Sequence, residues 1–215
     1  ENPYRFPERL YPITHKNIIK HKNLPTIDKN GESIPEEKQI KELQLINCVM
    51  TGFQKTMYFK MLESKSDVFS KNGIMCSNIT YFNDNPVEAI TIDSVIGNSG
   101  LSHIIKRTKQ QNNVKYSFKD EKYNDFFSLE NIKNYSSKIY HILNNIESQE
   151  GIIFIYSKYI DSGVVPIALA LEYNGYKKYD ESLINNSPES KGNYLIISGD
   201  QELSKNSYID YIKLQ

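Results

Sequence analysis

The alternation of apolar and polar positions is most informative in the last third of the chain. Residues 152–156, Ile-Ile-Phe-Ile-Tyr, form a run without polar interruption, which is typical of a strand covered on both faces. The chain then turns polar over 157–161, and a mostly apolar stretch with Pro166 near its start predicts a helix. Asn174-Gly175 predicts the end of that helix.

A second apolar run, at 194–197, follows a long polar connection. The segment 151–197 therefore predicts a strand, a helix and a strand, paired in parallel through a right-handed crossover. Either Asp161 or Ser162 can cap the helix. Ligands of open α/β sheets lie at the carboxyl ends of strands, and helix N-termini attract phosphate. This edge predicts a ligand site but no particular activity.

The rest of the pattern predicts further helices and some short strands. Ser128 caps an apolar stripe that ends at Ile146, and Thr51 caps a helix that holds residues 53–62. Residues 1–35 predict an extended arm with a short hairpin at 28–31. Short elements are expected as strands at 74–75, 89–92 and 114–118, as a helix at 101–110, and as either a strand or a helix start at 42–48.

Several of these stretches resemble one family. Residues 155–176, IYSKYIDSGVVPIALALEYNGY, resemble the opening of the second motor domain in superfamily-two helicases of large DNA viruses. These are the helicase and early-transcription-factor ATPase group of poxviruses and giant viruses, relatives of the chromatin-remodelling ATPases. Residues 135–139 resemble the helix before that strand, and 194–200 resemble the next strand and its Ser-Gly-Asp turn. Residues 50–58 match the Met-x-x-x-Gln-x-x-x-Tyr block that follows the first motor domain.

The resemblance implies an α/β fold with an incomplete RecA-like parallel sheet of the P-loop NTPase type and flanking helices, preceded by a mixed α+β linker region. Residues 1–127 would form the N-terminal arm and interlobe linker, and 128–215 the start of the second RecA-like domain. Hydroxyl, ammonium and main-chain donors at the strand ends suit phosphate oxygens. The expected nucleic-acid contacts are Ser157, Lys158, Tyr159, Ser162, Gly163, Ser198, Gly199 and Asp200.

A purely structural interpretation of these residues stays open: Ser157 would end the strand, Lys158 would be a solvated charge, and Asp200 would cap a helix near Glu202. Motor chemistry itself is missing, since no phosphate-binding Gly-Lys-Ser/Thr occurs and neither acidic pair, at 120–121 and at 180–181, follows a buried strand. No catalytic residue or cofactor is expected in this chain. ATP and magnesium belong to the intact parent that the resemblance implies.

Composition adds modest constraints. Twenty-six Lys and Arg balance 26 Asp and Glu, so no basic surplus indicates a nucleic-acid partner. Cys48 and Cys76 lie far apart among apolar residues and are expected to be reduced, and no Cys/His spacing fits zinc. No apolar run approaches the roughly 20 residues that span a bilayer, and no signal peptide opens the chain. An intracellular location is expected, in the host cytoplasm or the virion.

The resemblance therefore implies a segment of an ATP-dependent viral helicase or transcription-factor ATPase, contributing nucleic-acid backbone contacts and the interlobe hinge. The first residue, Glu1, favours a piece of something longer. The expected partners are DNA or RNA, the remaining helicase lobes and, for the transcription factors, a viral RNA polymerase, with no membrane. Two alternatives remain: a non-enzymatic α/β interaction module, and a small nucleotide- or sugar-binding α/β enzyme, although the first strand–helix turn lacks Gly-x-Gly-x-x-Gly.

Overall fold

Helices and short strands are both present in the protein. A computed structural model of the chain describes residues 17–19, 26–28, 30–36, 43–64, 70–110, 113–149, 151–179, 181–184 and 190–204. The chain divides into two compact units, Glu1–Val49 and Met50–Gln215. The mixture of helix and strand is consistent with the predicted α/β class.

The first unit contains one antiparallel strand pair, in which β1 (Asn17–Ile19) lies beside β2 (Leu43–Leu45). The strand option for residues 42–48 is therefore the one that the chain adopts. Ile27 and Ser33 form an antiparallel bridge. Between them the Asp28 carboxylate accepts hydrogen bonds from two backbone N–H groups, which confirms the predicted turn at 28–31.

The second unit carries most of the helices and strands that the structure describes. Its α-helices are α1 (Gly52–Glu63), α2 (Lys71–Asn78), α3 (Gly97–Ile104), α4 (Leu129–Ile132), α5 (Ser137–Glu147) and α6 (Val165–Tyr173). Single 3-10 turns lie at Val87–Ala89, Ile92–Ser94 and Glu121–Tyr123, and a π-helical turn, Ile160–Val164, leads directly into α6. The strands are β3 (Ile105–Gln110), β4 (Asn113–Phe118), β5 (Tyr176–Lys178) and β6 (Gly192–Tyr194).

One main hydrophobic core holds this unit together. It is built from α3, the β3–β4 hairpin, the aromatic turn before α4, α5, α6 and the segments 183–184 and 196–203. A smaller cluster lies between α1, α2 and the 3-10 turns, with Met57, Met61 and Cys76 at its centre. The main core takes side chains from both sides of the predicted boundary at 127–128. That boundary divides the linker from the second motor domain of the parent protein, and it stays a prediction.

The predicted buried strand at 152–156 is wrong. These residues lie outside any strand, and Ile152, Phe154 and Tyr156 are 89%, 82% and 78% exposed. An apolar run forms a buried strand only when neighbouring strands pair with it, and none that the structure describes does so.

The predicted parallel pair is also placed differently. The two strands that pair in parallel are β5 and β6, and β5 lies inside the stretch that was predicted as a connection. Residues 195–197 follow β6 without strand pairing. All the strands that the structure describes belong to two-stranded sheets, so it shows no RecA-like parallel sheet.

Several other local predictions need correction. The expected strand at 74–75 lies in α2, and that at 89–92 consists of 3-10 turns and linking residues. The expected helix at 101–110 ends at Ile104 and continues as β3, whereas the strand at 114–118 is confirmed as β4. The stripe after Ser128 is two helices, because Ser136 starts α5 by accepting from the Ile139 N–H.

The helix ends near the predicted site are partly as expected. Pro166 lies in the first turn of α6, and Gly175, just beyond the helix, has a φ of +97°, which only glycine adopts readily. The predicted cap of α6 at Asp161 or Ser162 is wrong, because both residues lie within the π-helical turn. Thr51 is the N-cap residue of α1, as predicted, but its hydroxyl donates to the Lys133 carbonyl and makes no capping hydrogen bond.

Candidate functional site

The first predicted loop is a tight turn at the start of the π-helical segment. The Ser157 hydroxyl donates to the Tyr159 carbonyl at 3.2 Å and accepts from the Tyr159 N–H at 3.3 Å. Gly163 packs against it so closely that an added Cβ would lie 1.9 Å from the Ser157 Oγ. Lys158 points out of this turn as an exposed side chain, while Tyr159 is half-buried.

Ser162 serves the fold rather than a free surface. Its side chain is buried, and its hydroxyl accepts a hydrogen bond from the Gly97 N–H at 2.8 Å, at the first residue of α3. Because that oxygen satisfies one of the free N–H groups of a helix start, Ser162 is an internal contact between two helical segments. Together with the close packing of Gly163, this leaves Lys158 and Tyr159 as the more accessible members of the first loop.

The second predicted loop has the same local geometry. The Ser198 hydroxyl donates to the Asp200 carbonyl and accepts from the Asp200 N–H, both at 3.2 Å. The Asp200 carboxylate also accepts from the Glu202 N–H at 2.9 Å. It caps a short turn at 201–203 and not a helix. Gly199 is exposed, with open space where a side chain would lie.

Arg107 on β3 joins this second loop to the β3–β4 hairpin. Its guanidinium Nη2 lies 2.9 Å from the Asp200 carboxylate and 3.0 Å from that of Glu202. Lys109, two residues along the same strand, pairs with Glu202 at 2.6 Å. Residues that are far apart in the sequence thereby form one charged cluster around Arg107.

The first loop lies within electrostatic reach of the same cluster. Burial raises the pKa of Asp161; the Arg107 charge opposes this shift and the Asp200 charge adds to it. Burial also raises the pKa of Tyr116 to about 12, again against the charge of Arg107. Tyr116 stands opposite Arg107 in the hairpin, and such cross-strand neighbours share one face. The charge of Arg107 therefore acts on acidic residues of both predicted loops, and Arg107 forms an ion pair with the second.

Arg107, Tyr116 and Asp161 were missed as site residues by the sequence reasoning. Arg107 pairs with residues more than ninety positions away, and the predicted helix at 101–110 concealed the hairpin that carries it. The one available signal was that Arg107 is among the three arginines of a lysine-rich chain.

Gln54 links three helices through hydrogen bonds of its side chain. It belongs to the block at 50–58, which resembles the block that follows the first motor domain. It is fully buried. Its amide donates to the carbonyls of Cys76 and Ser77 at 3.1 and 3.2 Å, and its Oε1 accepts from the Ser137 N–H at 2.9 Å. These bonds link α1, α2 and α5, which leaves no free group for a ligand.

Other kinds of site find little support in the described part of the chain. No group of three or more His, Cys, Asp or Glu side chains there could hold a metal ion. None of the helices that the structure describes is long and apolar enough to cross a membrane. Cys76 is a buried thiol.

Comparison of the chain with protein-family models, with curated proteins and with solved structures gives no match. Functional inference therefore depends on the geometry of the two loops and on the chemistry of the residues between them.

Proposed function

We propose that this chain is a segment of an ATP-dependent viral helicase or early-transcription-factor ATPase, and that its own role is to contact a nucleic-acid backbone and to contribute the hinge between the motor lobes. The observations that support the proposal are the exposed Lys158 in the first loop and the ion pair by which Arg107 holds the second loop at 198–202. The resemblance independently assigns nucleic-acid contacts to both loops.

Lys158 is the central residue of this proposal. It is exposed at the tip of the first loop, and an ammonium group beside main-chain donors suits phosphate oxygens without reading bases. The hydroxyls of Ser157 and Ser162 are engaged in internal hydrogen bonds, so we assign them to shaping the loop. Arg107 supplies a second cation near the loops, in a guanidinium whose side chain is 40% exposed.

The finer fold assignment belongs to the same proposal. β5 and β6 would be parts of an incomplete RecA-like sheet, completed by the rest of the parent. In the parent, ATP and magnesium would bind between two such lobes, and hydrolysis would drive movement along DNA or RNA. Its location would be the host cytoplasm or the virion of a large DNA virus, with a viral RNA polymerase as partner in the case of a transcription factor.

The proposal is tested by binding of a single-stranded oligonucleotide to the 215-residue chain, measured by fluorescence anisotropy across a salt series. We expect affinity that falls as salt rises, because each neutralised phosphate releases counterions. Lys158→Glu should weaken binding about tenfold at low salt and reduce the salt slope by about one. Ser157→Asp should weaken it as well, since it adds a negative charge to the same turn.

The matched control is Lys133→Glu, which makes the same charge change at an exposed lysine between α4 and α5. It should leave the affinity within about twofold of that of the unmodified chain. Absence of binding at low salt would contradict the proposal, and so would an equal loss of affinity in the two lysine variants.

A second candidate function, a non-enzymatic interaction module, is favoured by the exposed apolar side chains of Ile152, Phe154 and Tyr156. Contiguous exposed apolar surface is typical of protein contact sites. This alternative predicts no oligonucleotide binding at any salt concentration, so the same titration separates the two functions.

A further inference from the structure

A row of large exposed side chains runs directly into the first loop. The exposed fraction falls from 89% at Ile152 to 42% at Ile153 and rises again to 82% at Phe154. From there to Tyr159 the even-numbered residues are exposed and the odd-numbered ones are half-buried. Tyr159 itself has extended backbone angles, with φ −103° and ψ 139°. A burial period of two is typical of an extended chain that turns one side toward the protein and the other outward.

Three side chains on the outer side combine aromatic and positive character. Phe154, Tyr156 and Lys158 follow one another at intervals of two residues, so they share that side. We call these three residues the aromatic stripe. An extended chain places neighbouring members about 6.6 Å apart. Residues 151–160 contain one charged side chain, that of Lys158, so the charge of this stretch is positive and suits an anionic partner.

Exposed aromatic rings beside a cation are the chemistry that binds single-stranded nucleic acid. Bases stack on the rings while the cation contacts the phosphates. In a duplex, successive bases lie about 3.4 Å apart and cover one another. Rings at about twice that spacing can each take a base only from a strand whose own stacking is opened. The spacing of the aromatic stripe therefore favours an unpaired strand.

We propose that Phe154 and Tyr156 stack on bases of a single nucleic-acid strand whose phosphate is bound by Lys158. This inference rests on the proposed function and adds a substrate class to it, namely unpaired strands that are bound through their bases as well as their backbone. Every base has a flat aromatic face, so the contact does not select a sequence.

The test compares two single strands of equal length, one with bases and one made of stable abasic sites. Both carry the same number of phosphates, so contact with the backbone alone would bind them equally. Fluorescence anisotropy at one low salt concentration gives the two affinities. We expect the 215-residue chain to bind the strand with bases at least about tenfold more tightly, as the stacking of even one base predicts.

Leucine variants locate the preference in the stripe, because leucine retains apolar bulk but has no ring. Phe154→Leu and Tyr156→Leu should each weaken binding of the strand with bases about fivefold or more. Each should leave the affinities for the abasic strand and for a blunt duplex within about twofold. Tyr156→Phe keeps a ring and should retain the full affinity.

The matched control is Phe59→Leu, which removes another exposed aromatic ring, on α1. It should leave every affinity unchanged. Thermal unfolding verifies that the variants fold, and their midpoints should stay close to that of the unmodified chain because the replaced side chains are mostly exposed.

Equal affinity for the strands with and without bases would overturn the stacking assignment and leave the proposed function standing. A preference for bases that persists in both leucine variants would also overturn it, because the bases would then bind elsewhere on the chain. Failure to bind any strand would overturn the proposed function and this inference together.

Discussion

At the scale of single residues, Glu172 ties several segments together. Its buried carboxylate accepts hydrogen bonds from the N–H groups of Leu183 and Ile184, both at 2.7 Å, and from the Tyr194 hydroxyl at 2.9 Å. Glu172 thereby joins α6 both to residues 183–184 and to the end of β6. Burial raises its pKa above the ordinary value of 4.5, against these hydrogen bonds and the nearby Lys115 charge.

Replacing Glu172 by Gln should lower the free energy of unfolding by about 1–3 kcal/mol, because the amide cannot accept all three hydrogen bonds and its NH₂ faces a donor. The pH dependence has a defined sign. A carboxyl whose pKa is raised in the folded state contributes stability that is present at low pH and is lost as the pH rises through the folded value. The difference between Glu172→Gln and the unmodified chain should therefore shrink from pH 4 to pH 7.

Denaturant unfolding at several pH values measures that difference. Glu130→Gln is the control, because Glu130 is exposed in α4 and should change the free energy of unfolding by less than about 0.5 kcal/mol. A penalty for Glu172→Gln that grows with pH would contradict this description of Glu172.

At the scale of elements, the β3–β4 hairpin organises the candidate site. Tyr116 N–H donates to the Leu183 carbonyl at 2.8 Å, and Lys115 reaches the Ser182 carbonyl at 2.5 Å. Arg107 holds the loop 198–202 from the same hairpin. The hairpin therefore contacts the chain before β6, at residues 182–183, and the chain after β6, at residues 200–202.

Arg107→Ala should release the loop at 198–202 and raise amide hydrogen exchange there several-fold, since locally anchored loops open more readily once the anchor is removed. The change in overall unfolding free energy should stay near 1 kcal/mol or below, because partly exposed ion pairs contribute little. Hydrogen exchange with mass spectrometry measures both effects.

Lys106→Ala is the matched control, one residue away on β3 with an exposed side chain. It should leave exchange at 198–204 unchanged. Equal exchange in the two variants would show that Arg107 does not hold the loop.

The sequence predicted elements whose signals are local and missed those that depend on distant partners. The end of α6 at Gly175 and the turn at Asp28 follow from the chemistry of a few adjacent residues. β5 is three residues long, and only its pairing with β6 makes it a strand. The strand prediction for the exposed run at 152–156 was wrong for the converse reason. An apolar sequence favours a strand, but it does not supply a neighbouring strand to pair with.

For the candidate site, the sequence pointed to the two Ser-containing turns, whose role as contacts stays a prediction, and it missed Arg107. The hydrogen bonds within each turn join residues that are close in the sequence. The hydroxyls of Ser157 and Ser198 are used within those turns, a detail that requires coordinates. The ion pair between Arg107 and Asp200 joins positions too distant for any sequence pattern to connect.

At the scale of the whole molecule, the net charge is zero. Binding of nucleic acid would therefore depend on how positive side chains are placed locally on the surface. We propose that Lys158 and Arg107 supply the local positive charge at the two loops. This proposal depends on nucleic acid binding at these loops and not elsewhere on the chain.

Photo-crosslinking tests this central claim most directly. The 215-residue chain is irradiated with a single-stranded oligonucleotide that carries photoreactive uracil, and the crosslinked peptides are identified by mass spectrometry. We expect crosslinks within 157–163 and 198–202, with Tyr159 the foremost acceptor and with loss of the signal as salt rises. Crosslinks confined to other regions, such as α1 or α5, would contradict it.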